Sequence, residues 1–398
     1  MNDIFYVDGN FSVSYKDLLK IDPQKNLTQV IKPTKTIDIF KKIIISLIYD
    51  TKIILADTDD VADESLNEKQ SSKRKTRKIY SFESMEKLTN HCLSVKEWSV
   101  TLYTSGTTGI PKKVTHNFVK FKSSLRISSS HQNDIWGYCY NPSHIAGLQV
   151  FFQAFFNQNK IVDVFQKKPK QITTDLKTNK VTHISATPTF FRMLEENTMH
   201  HVIKVTSGGE KLDNFTVKKI RNSFPNAKLL NIYASTELGT LLLSENDIFK
   251  VPKKLQKNVI IKNQELYVDK VILGHTNHNN KSKWYRTGDL VEKIDSNPLK
   301  FKFISRRNEM INVGGMKVNP TEIEGVALEN KNINSIKVYG KKNKLIGNIL
   351  CADIVCQKET NIVEIKLFLR KKLENYKIPR IINIVSKIET TKTGKIRR

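Results

Sequence analysis

Five short segments carry side chains suited to handling a nucleotide. Thr104-Ser-Gly-Thr-Thr-Gly-Ile-Pro-Lys-Lys113 follows an expected strand. Its hydroxyls and flexible glycines can turn several N–H and O–H donors toward one polyphosphate, with Lys112 as a point charge. It lacks the GxxxxGK[ST] spacing of a Walker loop, and an ordinary polar turn has the same composition. Tyr233-Ala-Ser-Thr-Glu237 joins an aromatic ring for a base, a hydroxyl for a phosphate and a carboxylate for Mg²⁺. Its bland alternative is a strand-to-helix turn capped by Ser235 or Thr236. In Tyr285-Arg-Thr-Gly-Asp-Leu290, read as a tight turn, Asp289 can accept from two ribose hydroxyls or serve only as a turn aspartate. The segment Ser305–Gly315, continued by Asn319-Pro-Thr-Glu-Ile-Glu324, and the terminal Thr391-Lys-Thr-Gly-Lys-Ile396 complete the set; taken alone, the terminal segment reads as solvated surface.

The elements that must position these loops follow from periodicity. Apolar spacing predicts a buried helix over Ile37–Tyr49 and a strand over Ile53–Ala56. Residues 57–78 are acidic, then basic, with few apolar side chains, and are expected to form a solvated loop or linker. Trp98–Tyr103 reads as a strand, and the alternation from Thr115 to Ser128 as one a helix can use. Strands near Ile161–Phe165, Val181–Ala186, Val202–Gly209 and Ala227–Ser235 alternate with helices over Leu148–Phe156, Pro188–Glu195 and Phe215–Ser223. That alternation predicts an α/β fold with a largely parallel, helix-covered sheet. Beyond Leu242 the pattern turns to β, with strands expected at Asn258–Ile261, Glu265–Val268, Lys270–Leu273 and Lys300–Ile304. The final stretch reads as a small α+β unit. The expected division is 1–305 and 309–398, joined by a hinge at 305–309.

Composition narrows the function. The chain has 398 residues, 39% of them hydrophobic, enough apolar surface for a sizeable core. Its 66 Lys+Arg against 39 Asp+Glu give a formal net charge of +27. The lysines are spread along the chain without an arginine-rich arm, so nucleic-acid binding is not the expectation. The opening MNDIFYVDGNFSVSYKD has neither a basic n-region nor a long apolar core, and no stretch is long enough to span a bilayer. Four scattered cysteines match neither a disulfide framework nor a zinc site. A cytoplasmic protein is expected.

Taken in order, YTSGTTGIPKK, YASTE, YRTGD and the terminal TGK resemble the AMP-binding, adenylate-forming superfamily of acyl-CoA synthetases, adenylation domains and luciferases. The resemblance runs from Tyr15 to Lys395. It implies a large N-terminal α/β domain with a β-rich subdomain and a small, mobile C-terminal α+β domain. It implies ATP and Mg²⁺, a carboxylic acid substrate, and CoA or a carrier protein's phosphopantetheine as thiol acceptor.

By the resemblance, Thr104, Ser105, Thr107 and Lys112 line the pyrophosphate end of ATP. Tyr233 stacks near adenine, Thr236 touches the α-phosphate and Glu237 ligates Mg²⁺. Asp289 binds the ribose with help from Arg306. Gly208, Gly209 and Glu210 edge the acyl and adenine pockets, and His144 lies near the carboxylate. Lys395 reaches the carboxylate and α-phosphate. Asn308 is the hinge, and Gly314–Gly315 the loop presented to the thiol. The chain departs from the family pattern at Lys113, where glycine is usual, at the hinge, and at Ala234, whose extra methyl points to a short or planar acid. It is also short before the phosphate loop. The implied activity is an acid–CoA ligase; the alternatives are an enzyme charging a carrier protein, and an inactive member acting as a binding protein.

Overall fold

The computed structural model describes residues 3–21, 28–56, 80–104, 112–237, 239–273, 282–343, 347–356, 360–390 and 396, with backbone alone at Thr104, Lys112 and Thr240. The linker expectation at 57–78 lies outside them.

Buried strands with apolar runs require cover on both faces, which parallel sheets obtain from crossover helices. The largest sheet has eight strands. Its inner six, Lys228–Ser235, Lys204–Gly208, His183–Ala186, Ile135–Tyr138, Lys160–Asp163 and Ile4–Asp8, lie parallel in that order. Antiparallel partners close both edges, Gly239–Ser244 on one side and Phe11–Ser14 on the other. A second sheet runs Val30–Ile31, Ile53–Leu55, Ser99–Thr104, Lys112–Asn117. Between these two sheets the helices Thr36–Ile48 and Ile145–Phe156 bury aromatic side chains. Phe40 stacks on Phe151 at 4.4 Å between ring centroids, and Trp98, Phe118 and Phe152 meet edge to face.

A five-stranded antiparallel sheet follows: Ile248–Lys250, Leu299–Arg306, Trp284–Ser296, Glu265–Asp269, Val259–Lys262. Its core includes Phe249, Phe301, Leu266 and Val291. From Ile311 onward the chain builds the hairpin Ile311–Val313/Met316–Val318 and the three-stranded sheet Ile333–Asn343, Gly347–Cys356, Ile381–Ile384. Pro320–Ala327 and Ile362–Arg370 cover that sheet, enclosing a core of Ile323, Ile336, Ile354, Ile365 and Leu369. The large α/β part, the β-rich sheet and the small α+β part are those expected.

Three local expectations are corrected. Lys112 and Lys113 do not end a loop, and Thr115 does not open a helix: Lys112–Asn117 is a strand paired with Ser99–Thr104. Val114, His116 and Phe118 alternate inward at period two, a strand signal that a helix can imitate only over a few residues. The helix there is the short Phe118–Lys122, capped by Asn117. Lys270–Ile272 is a single 3₁₀ turn, because the Asp269 carboxylate caps the N–H of Val271. The Tyr285–Leu290 segment is no tight turn but part of the long strand Trp284–Ser296, with Gly288 at φ +76°.

Candidate active site

Ligands of parallel sheets bind beyond the carboxyl ends of the strands. Here the ends at Ala186, Gly208 and Ser235 lie side by side, and a cavity of about 1900 Å³ opens over them. His144, Gly209, Glu210, Thr236, Glu237, Arg306 and Asn308 are in its wall. The Gly208 end is tight: a β-carbon there would lie 3.0 Å from both the Cβ and the carbonyl oxygen of Ile232, so a larger residue would have to push Ile232 aside. Gly209 follows at φ +85°, a conformation open to glycine at no steric cost. His144 is the N-cap residue of Ile145–Phe156, which fixes it at the cavity edge.

Asp289 is buried and uses both oxygens. Arg306 Nε donates to Oδ1 at 3.0 Å, and the Tyr233 hydroxyl donates to Oδ2. Burial raises the Asp289 pKa, and the Arg306 charge opposes that rise. The Tyr233 phenol is pushed well up by burial and then by the Asp289 charge. Its ring meets Phe249 and Phe301 edge to face at 5.9 and 6.0 Å. Tyr233 thus belongs to the core of the β-rich sheet, and with Asp289, Arg306 and Gly209 it walls an adjoining cavity of about 310 Å³.

The Thr236–Glu237 turn is held from behind by residues not singled out in the sequence. His116 Nε2 donates to the Thr236 carbonyl at 2.7 Å, and Lys120 Nζ to the Glu237 carbonyl at 3.0 Å. A carbonyl only accepts, so His116 must carry its proton on Nε2. Burial pushes the Lys120 ammonium down to about 8, with the Glu237 charge opposing. Tyr285 is pushed up to about 12, by burial first and then by the Glu237 charge. Among the described residues no group of three His, Cys, Asp or Glu could hold a metal ion. The single Glu237 carboxylate at the cavity wall still fits Mg²⁺, which keeps waters and takes its remaining ligands from substrate phosphates.

Glu210 accepts from the Thr189 N–H and hydroxyl at 3.0 and 2.6 Å, with Arg192 Nη2 at 3.7 Å. Its other oxygen accepts from the backbone N–H of Ile396 at 3.3 Å, and Ile396 itself lines the cavity. The chain therefore returns to the cleft one residue after Lys395. Lys395, Ser105 and Thr107 lie outside the described residues. Thr104 and Lys112 face each other across the strand pair flanking the phosphate-loop segment.

Arg307 donates to Glu265 Oε2 through Nε at 2.9 Å, while Arg286 Nε donates to Oε1 at 2.7 Å. Arg306 and Arg307 are thus both fastened to the β-rich sheet immediately before Asn308. Gly314 and Gly315, at φ +57° and +86°, form the two-residue hairpin turn and are not among the cavity's lining residues.

Similarities to known proteins agree with this arrangement. Residues 29–269 match the profile of AMP-binding enzymes, and residues 322–395 that of the AMP-binding enzyme C-terminal domain. An oxalate–CoA ligase of Saccharomyces cerevisiae is 27% identical over 337 residues, 75% of this chain and 61% of that protein. Bacitracin synthase 3 of Bacillus licheniformis is 23% identical over 77% of this chain, which spans only 6% of it. The o-succinylbenzoate CoA synthetase of Bacillus subtilis, solved with its acyl-adenylate intermediate, shares the fold at a TM-score of 0.69 and 17% identity, over 99% of this chain and 94% of that one. With more than half its length matching that profile, the chain belongs to the AMP-binding enzyme family.

Proposed function

We propose that this chain uses ATP to activate a carboxylic acid as acyl-adenylate and transfers the acyl group to the thiol of CoA. The observation that carries the proposal is the convergence of the His144, Gly209–Glu210, Thr236–Glu237 and Arg306–Asn308 segments on one cavity at the strand ends, with the Asp289–Arg306 pair beside it. Family membership supports it.

A carboxylate is a weak nucleophile facing the negative charge of ATP, so catalysis here is largely charge placement. Asp289 has spent one lone pair on each oxygen, and a carboxylate offers about four, so two remain for ribose hydroxyls. Thr236 would meet the α-phosphate, and the donors around Thr104, Ser105, Thr107 and Lys112 the departing pyrophosphate. Glu237 would hold Mg²⁺, which when bound neutralises charge on the triphosphate. A carboxylate oxygen attacks the α-phosphorus and pyrophosphate leaves; Lys395 would stabilise the charge at that phosphorus. Losing one such preorganised donor costs ~10²–10³ in rate. The thiol sulfur then attacks the acyl carbon, AMP leaves, and the thiol proton is released.

In this reading residues 1–305 form the catalytic domain and 309–398 a lid. Asn308, the first residue after two arginines anchored to the β-rich sheet, is the pivot that withdraws Lys395 and brings Gly314–Gly315 to the thiol. Free, separated cysteines suit a cytoplasmic setting. A carrier protein's phosphopantetheine is the second acceptor to consider, because a +27 chain attracts an acidic partner and bacitracin synthase 3 is among the relatives.

The test is ATP–pyrophosphate exchange across fatty, aryl and small polar acids with CoA absent, followed by CoA or a loaded carrier. Exchange dependent on an acid is the expected result. No exchange with any acid would leave an inactive binding protein.

A further inference from the structure

The cavity continues along the sheet, away from the Thr236–Glu237 turn. Its floor is one face of the parallel strands: His183 and Ser185, Lys204 and Thr206, and Gly208 recur at every second residue in the cavity wall. The Ile145–Phe156 helix roofs it with Gln149, Val150 and Gln153. Trp136, His183 and Lys204 are aligned across three neighbouring strands and form the last row. Four residue steps lead from Lys204 in that row to Gly208, ~13 Å at the usual rise of a strand.

That far end is cationic. Lys204 is half-buried and, among the described residues, has no ion-pair partner within 4 Å. Arg126, an exposed residue of the cavity wall, lies near enough to act on the Lys204 charge. Burial first, and then the Arg126 charge, hold the Lys204 ammonium below its usual pKa. The carboxylate present there, Asp134, is buried and already engaged by His131 Nδ1 at 2.9 Å and His183 Nε2 at 3.5 Å. His183 is pushed down to about 4 by burial, so it is neutral near pH 7 and leaves two cations facing one acid. A hydrocarbon tail would bury Lys204 further with only the already engaged Asp134 carboxylate to offset it, which is costly; an anion would relieve it.

We propose that the acid activated here carries a second carboxylate, bound by Lys204 and Arg126 at the far end of the cavity. The inference rests on the ligase reading above and assigns the substrate class to a dicarboxylic acid. The flexible four-carbon stem of Lys204 covers part of the ~13 Å span, so a compact diacid can bridge it, in keeping with the narrowing expected at Ala234.

The experiment measures ATP–pyrophosphate exchange with mono- and dicarboxylic acids of matched length and shape. The diacid should be preferred by ~10–100-fold in kcat/KM, the effect of one or two charge-assisted hydrogen bonds. Lys204→Met and, separately, Arg126→Gln should raise KM for the diacid about tenfold or more while leaving kcat, the monoacid and ATP binding unchanged; ATP binding also reports that each variant is folded. Equal use of both acids by the unaltered protein, or equal losses for both acids in the variants, overturns the inference. If monoacids alone support exchange, the ligase reading stands and this inference falls; if no acid does, both fall.

Discussion

Asp289 and Lys120 show how single side chains set up this cleft. Asp289 is the buried acceptor for both Tyr233 and Arg306. In Asp289→Asn the guanidinium loses its charged partner and, on the proposed reading, the ribose loses a charged acceptor. We expect KM for ATP to rise at least tenfold and stability to fall by about 1–3 kcal/mol, measured by exchange kinetics and urea unfolding. Lys120 braces the Glu237 carbonyl with an ammonium whose pKa falls from 10.5 to about 8. Between those values the unfolded chain keeps a proton that the folded one has released, so this group's contribution to stability rises with pH across that window. Activity should run the other way, declining above pH ~8 as the charge-assisted brace becomes a neutral hydrogen bond. Lys120→Arg keeps the charge and should move that alkaline limb upward; an unmoved limb in the pH–rate profile would count against the brace.

Among the elements, the helix Ile145–Phe156 and the Arg306–Arg307 strap are decisive. A β-carbon at Gly147 would lie 2.5 Å from both the Asn141 carbonyl oxygen and the Tyr138 hydroxyl. Helix propensity alone would make Gly147→Ala stabilising by up to about 1 kcal/mol, but the overlap reverses the sign. The variant should lose about 1–3 kcal/mol in urea unfolding and, by displacing the turn before His144, raise KM for the acid. Glu265 is buried between Arg286 and Arg307. Burial raises its pKa, but the two arginines win and hold it below 4.5. Its stabilisation is therefore present above that value and lost as pH falls through the lower folded one. In Glu265→Gln the acid side of the stability–pH curve should flatten, as read from melting temperatures below pH 5.

At the scale of the whole molecule, the large and small parts meet at the cleft. Phe215 of the large part packs against the core of the small one, and Ile396 closes onto Glu210. These contacts hold Ile396 beside the cavity, and the proposed rotation about Asn308 would have to break them. Lys395→Ala should nearly abolish adenylate formation yet leave thioester formation from supplied acyl-adenylate largely intact. Equal loss in both half-reactions would remove Lys395 from the first step alone.

Residue types in short loops, and the periods of the segments between them, were legible without coordinates: the groups proposed to meet the nucleotide at Thr236–Glu237, Asp289 and Arg306 stand in the sequence itself, and the parallel strands show as apolar runs. The strand at Lys112–Asn117 was not, because six alternating residues satisfy a strand and a helix turn alike. Nor were the braces. His116 reaches Thr236 across 120 residues and Lys120 reaches Glu237 across 117, and such partnerships leave no local pattern. The pairing of Asp289 with Tyr233, and the alignment of Lys204 with His183 and Trp136, likewise arise from strand order and register. Local sequence determines what each loop can donate or accept; only tertiary packing decides which groups are desolvated together, and desolvation gives those groups their strength.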